Sequence, residues 1–199
     1  MGKQVKKRKQ SRKKKKMNNR GFTLIELLAV ITIMGILMLV AIPAVSRTIE
    51  NSRRDTYATL AKQYITTVRN AVLADELKCG TAEKTVGSMP NGTYYFKIDT
   101  AATDYVGTQT KDIMEKVGKS SWSNADVNGY VEWTKEQGGT GETEKTRTTY
   151  KIALVDTGKH GIVSATAEDS ITRTSVSTSL TVTAPTSTHA ATDVECKLK

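Results

Sequence analysis

Histidine and cysteine are nearly absent, with two of each in 199 residues. Cys79 and Cys196 stand far apart, with no C-x-x-C spacing and no histidine beside them. That excludes the usual sequence forms of a zinc site. His160 falls in a turn and His189 in a Ser/Thr-rich stretch, so both are expected to be surface residues without catalytic partners. No Ser/His/Asp set and no paired carboxylates stand at recognisable spacing. The chain is therefore expected to be no enzyme and to use no metal and no cofactor. The stretch 138–146 imitates a phosphate loop, but the G-x-x-x-x-G-K-[ST] pattern needs glycine where Glu144 stands. A carboxylate there would repel the phosphate that the backbone N–H groups should cradle.

Charge is absent in two instructive places. Residues 1–21 contain no acid yet hold 11 of the 30 Lys/Arg, and Leu27 to Val45 contains no charged side chain at all. The formal charge of +10 belongs to that leader, because the remaining chain has 19 Lys/Arg against 20 Asp/Glu. A basic nucleic-acid-binding body is thereby excluded, and no specific nucleic-acid partner is expected. A basic block abutting an apolar run fits the positive-inside rule, which keeps the leader cytoplasmic. Phe22 to Val45 is 24 residues, about 36 Å of helix, enough to cross a bilayer with some tilt. A secretory signal fits less well: the apolar run is too long, and Ala41-Ile42-Pro43-Ala44 puts Pro and a bulky Ile where small residues are needed.

Within this segment, Glu26 is the sole ionisable side chain between Arg20 and Arg47. A carboxylate in a membrane helix costs about 2.5–3.5 kcal/mol on insertion scales and is a functional candidate by default. A plain anchor has no use for it. The run Gly21-Phe22-Thr23-Leu24-Ile25-Glu26, beneath a basic leader and ahead of an apolar helix, resembles the prepilin processing signature of type IV pilins and type II secretion pseudopilins. The resemblance covers roughly residues 15–50.

That resemblance implies cleavage between Gly21 and Phe22, methylation of the new Phe22 amine, and a role for Glu26 in subunit assembly by pairing with the N-terminal amine of a neighbour. It implies as partners further copies of the chain (with minor pilins), a prepilin peptidase/methylase, a membrane assembly platform and an assembly ATPase. The expected life history is a single-pass subunit in the cytoplasmic membrane, head outside, and then an extracellular filament. A pseudopilin of a secretion or DNA-uptake apparatus shares every one of these N-terminal features. A single-pass protein with an adhesive ectodomain is the reading from another class, and Glu26 speaks against it.

Beyond the signature the residues speak for themselves. Gly35 and Pro43 interrupt the apolar helix, and Pro43 predicts a kink or local melting near Leu39–Pro43. Ile49, Tyr57, Leu60, Tyr64, Val68 and Val72 then recur at helical spacing, predicting one helix from about 23 to 78, with Gly80 as its C-cap. The expected organisation is a leader (1–21), a membrane or filament-core half-helix (22–46), an amphipathic half-helix (47–80) and a β-rich head (81–199). In the head, Thr93–Ile98, Gly129–Thr134, Thr148–Val155 and Gly161–Ala167 read as strands, with a hairpin turn at 156–161. Lys111–Val117 reads as a short helix. Leu180–Thr183 reads as a further strand inside a Ser/Thr-rich surface stretch from Ser164 to Thr192. The fold class is α+β: a long N-terminal helix packed on a small antiparallel sheet, which is also the architecture the pilin resemblance implies. In an exported head, Cys79 and Cys196 are a disulfide candidate, closing a loop of more than a hundred residues; two free buried thiols are the alternative.

Overall fold

The computed structural model describes residues 21–75, 77–79, 82–83, 85–99, 118–138, 145–185 and 194–198. One helix, α1 (Leu24–Leu73), is followed by seven strands: β1 (Leu77–Cys79), β2 (Ala82–Glu83), β3 (Gly92–Asp99), β4 (Val127–Gly138), β5 (Lys145–Asp156), β6 (Gly161–Ala167) and β7 (Val194–Leu198). The chain divides into two units, the second beginning at Ser46.

In the first unit, every residue from Gly21 to Val45 is exposed. From Leu24 on they open α1, a helix long and apolar enough to cross a membrane. The helix continues through Gly35 and Pro43 without a break, so the local melting expected at Leu39–Pro43 is not present. Proline there still removes one backbone donor from the helix.

In the second unit, α1 buries Tyr57, Ala58, Leu60, Ala61, Tyr64, Ile65, Val68, Ala71 and Val72. Steps of three and four keep these on one face, the signature of a helix lying on a core. Ile49, which extends the same spacing, is exposed. The buried face joins Phe96 and Ile98 of β3, Val131 and Trp133 of β4, and Ile152 and Leu154 of β5 in one apolar cluster. The architecture is therefore α+β. The sheet runs β2-β1-β7-β3-β4-β5-β6. Its pairs are antiparallel except β3 with β7, which is parallel, so the sheet is mixed. Strand β6 has the predicted bounds, and β3, β4 and β5 contain the predicted segments and extend beyond them.

The helix stops at Leu73, five residues before the predicted end. Asp75 takes a left-handed φ of 57°, and its carboxylate accepts the Val86 N–H. The physical cause lies in Leu77. At 100° per residue it would sit far round the helix from Val72, whereas as part of β1 it is fully buried. Strand β1 also sets Cys79 directly opposite Cys196 of β7, with the two sulfurs at disulfide distance. Gly80, predicted as the cap, lies outside the described residues, as do the predicted helix 111–117 and His189.

The Ser/Thr-rich segment is more than surface loop. Leu180–Thr183 forms no strand. Ahead of it, two single-turn 3-10 helices at Glu168–Ser170 and Arg173–Ser175 are followed by the buried side chains of Ile171 and Val176. Three clips fasten this segment to α1: Arg69 with Glu168, a bidentate Arg173–Asp55 pair, and Arg54 Nη2 donating to Thr178 Oγ1 at 2.9 Å. The Arg173 bonds hold the Asp55 carboxyl below its ordinary range. Lys135, buried in β4, donates to the carbonyls of Val86 and Met89 at 2.8 and 2.7 Å, tying down the segment before β3.

Candidate functional site

Two features set the local geometry of the N-terminal signature. Gly21, Phe22 and Thr23 lie outside the helix, and Leu24 begins it. Thr23 is the N-cap and Glu26 the third helical residue, and they form a reciprocal capping box. The Thr23 backbone N–H donates to Glu26 Oε2 at 2.8 Å, and the Thr23 hydroxyl donates to the same oxygen at 2.9 Å. The Glu26 N–H in turn donates to Thr23 Oγ1 at 3.3 Å. A helix start leaves four N–H groups without intrahelical partners, and this box satisfies two of them.

The box has a consequence for the Gly21–Phe22 bond. Capping at Thr23 leaves that bond in non-helical, exposed chain, where the backbone can be gripped in extended form. A Cβ on Gly21 would meet no atom within 4 Å, so the surroundings of the junction are open. The T-x-x-E spacing of Thr23-Leu24-Ile25-Glu26 is itself the sequence signature of a capping box, and it is the signal that identifies Thr23 as part of the site. Among the described residues, the bonds reaching the Glu26 carboxylate both end on Oε2. The Glu26 side chain is exposed.

A second polar cluster lies at the β5–β6 hairpin, where His160, expected at the surface without a catalytic partner, is half-buried and held by a carboxylate. Asp156 is fully buried. It accepts the Ser120 hydroxyl at 2.6 Å and the His160 backbone N–H at 2.8 Å. His160 Nδ1 lies 3.0 and 3.1 Å from its two carboxylate oxygens. The imidazole stacks on Trp122 at 4.5 Å between centroids, and Trp122 in turn leans on Tyr57 at 5.5 Å. Serine and histidine thus share one carboxylate, and the serine hydrogen points to Asp156 instead of to the imidazole. The arrangement makes no nucleophile–base pair. It bolts the 120–126 turn and the hairpin onto α1. The sequence signal was the four-residue spacing of Asp156 and His160 across a Thr-Gly-Lys turn.

Among the described residues, no group of three His, Cys, Asp or Glu side chains is placed to hold a metal ion. Strands β4 and β5 end and begin at Gly138 and Lys145, so the phosphate-loop-like stretch joins two antiparallel strands and leads into no helix. No curated protein and no solved structure matches the chain. Residues 16–42, which span the open junction, the capping box and the first part of the exposed apolar helix, match the family model described as the prokaryotic N-terminal methylation motif: the chain carries the prepilin-type motif of type IV pilins and pseudopilins.

Proposed function

We propose that the protein is a structural subunit of a type IV pilus-like filament. It is cut between Gly21 and Phe22, methylated on the Phe22 amine and stored in the membrane by α1 before assembly. The single observation that carries this reading is a lone carboxylate, Glu26, held by a helix cap at the entrance of an apolar helix whose residues are exposed as far as Val45. In lipid those side chains are solvated by acyl chains. In a filament they pack against the same helix of neighbouring subunits, so assembly exchanges one apolar environment for another.

The Glu26 carboxylate keeps its own helix capped through Oε2 and offers Oε1 to the methylated amine of an adjacent Phe22. Each charge left alone in a dry bundle is penalised, and the pair relieves both. A repeated contact of this kind fixes the register between subunits. The implied partners are a prepilin peptidase/methylase, an assembly platform and an assembly ATPase. A pseudopilus of a secretion or DNA-uptake apparatus is built on the same contacts.

Intact-mass measurement tests the processing step. The mature chain is expected to lack residues 1–21 and to carry one methyl group on Phe22. A chain starting at Met1, or near Ala44, overturns it. Imaging of a deletion strain separates the two assemblies: loss of surface filaments identifies a pilus, whereas intact filaments with lost secretion or DNA uptake identify a pseudopilus.

The Cys79–Cys196 bond is the second element of the reading, and it suits a head that matures outside the cytoplasm. With a sequence separation of 117 residues, loss of the crosslink through Cys196→Ser is expected to lower head stability by about 2–4 kcal/mol. Denaturant melts with and without reductant check this. Non-reducing peptide mapping is expected to recover the two cysteines in one linked peptide, and freely alkylated thiols in unreduced protein would remove the crosslink.

A further inference from the structure

On the sheet face turned away from α1, the strands build a cavity of about 260 Å³, lined in part by Tyr95 and Lys97 of β3, Asn128 and Tyr130 of β4, Glu195 of β7 and Pro185. Alternation along β3 explains the placement: Tyr94, Phe96 and Ile98 turn into the core, so Tyr95 and Lys97 emerge on the opposite face. The register sets Tyr130 beside Lys97 and Glu195 beside Tyr95. Tyr130 is buried, although it points away from the core cluster, and forms part of the floor. Lys97 and Glu195 stand exposed at the mouth.

We infer that this cavity is a binding site for one neutral pyranose ring of a surface glycan. Its size is below the roughly 300–1,000 Å³ that holds a drug-sized ligand, which suits a single ring. The half-buried Tyr95 ring, above a floor that Tyr130 helps to form, offers apolar surface for the C–H face of a sugar. The polar groups mix donors and acceptors: the Asn128 amide supplies both, Lys97 only donates and Glu195 only accepts. A phosphate would be repelled by Glu195, and Lys97, whose ammonium stands 4.0 Å from the Asp99 carboxylate, keeps the mouth from being a purely acidic site for an amine. An alkyl chain would bury these polar groups without replacing their hydrogen bonds to water. A neutral ring of hydroxyls, each both donor and acceptor, satisfies both signs at once. This inference goes beyond the filament reading and does not depend on it, since the cavity lies wholly within the head.

The test uses the full-length protein in lipid nanodiscs and saturation-transfer NMR. The probes are the methyl glycosides of glucose, galactose and mannose, N-acetylglucosamine, glycylglycine and inorganic phosphate. At least one pyranoside is expected to bind with a dissociation constant of roughly millimolar or tighter, with transfer strongest at the ring C–H protons. Tyr95→Ala and Asn128→Ala are each expected to weaken it about fivefold or more, the loss of about one net hydrogen bond or stacking contact. Lys97→Met and Glu195→Gln alter only exposed groups and report even if the first two variants unfold. Their near-UV spectra, set by Trp122 and Trp133, are expected to match the parent. The inference is overturned if no pyranoside binds, if binding survives all four substitutions, or if glycylglycine or phosphate binds in preference.

Discussion

Glu26→Leu is expected to reach the membrane at the parent's level and to yield almost no sheared filament. Removing the carboxylate deletes the one costly group in the apolar segment, so insertion improves. In the proposed filament, what is lost is the partner of the neighbouring amine. Breaking a buried pair by removing one member costs about 3–5 kcal/mol, and at about 1.4 kcal/mol per tenfold this is a hundredfold or more in each subunit contact. A polymer repeats that loss at every step.

The capping box makes a sharper comparison available than Leu alone. Glu26→Gln retains a carbonyl oxygen that accepts the Thr23 N–H, so the cap survives while the charge is gone. Thr23→Val does the reverse: it deletes the capping hydroxyl, at a cost of about 1 kcal/mol, and keeps the carboxylate. Charge pairing predicts that both Glu26 variants fail to assemble and that Thr23→Val assembles close to normally. The measurement is the sheared fraction blotted against the membrane fraction, with each variant as the sole copy. Filaments from Glu26→Gln at the parent's level would reduce the glutamate to a helix cap. Filaments from Glu26→Leu at that level would remove the chief sequence support for assembly through this residue.

Legibility from sequence tracks how local the physics is. The apolar helix, the buried stripe through Tyr57, Tyr64, Val68 and Val72, and the strands β3 to β6 are written in spacing and alternation, and the structure repeats them. Elements that exist only through distant partners are not written that way. Strand β1 is three residues long, and it pairs with β7 at the far end of the chain. The parallel β3–β7 pair has no local signal either. In the 168–178 segment, the cues were two isolated apolar residues, Ile171 and Val176, in a polar background. The Ser120–Asp156–His160 cluster joins residues up to 40 positions apart. Its anchor, Asp156, reads in sequence as an ordinary turn residue. At the N-terminus the opposite holds: Gly21, Phe22, Thr23 and Glu26 lie within six residues, so the whole constellation can be read from the chain itself.

Gly161→Ala is expected to destabilise the head by about 3–5 kcal/mol, well above the effect of a typical single substitution. Gly161 has a φ of +142°, a conformation that L side chains rarely adopt, and a Cβ there would stand 2.1 Å from the Leu154 carbonyl oxygen and 2.8 Å from the Tyr57 hydroxyl. Neither neighbour is free to withdraw. The Leu154 oxygen accepts the Tyr57 hydroxyl at 3.1 Å, which ties β5 to α1. Gly161 itself exchanges two backbone hydrogen bonds of 2.9 Å with Ser177, holding the clipped segment against β6. Relief of the clash must therefore open the strand pair, the helix contact or the Ser177 bridge, and backbone strain is added to the overpacking. Gly92→Ala serves as the control, because a Cβ at Gly92 meets nothing within 4 Å. Denaturant melts of the full-length protein in detergent, followed by near-UV circular dichroism of Trp122 and Trp133, are expected to show a large loss for Gly161→Ala and a change within about 1 kcal/mol for Gly92→Ala. Equal stability of the two variants would mean that the hairpin at Gly161 tolerates a side chain and that the junction of β5, β6 and α1 is not the tight point of the head.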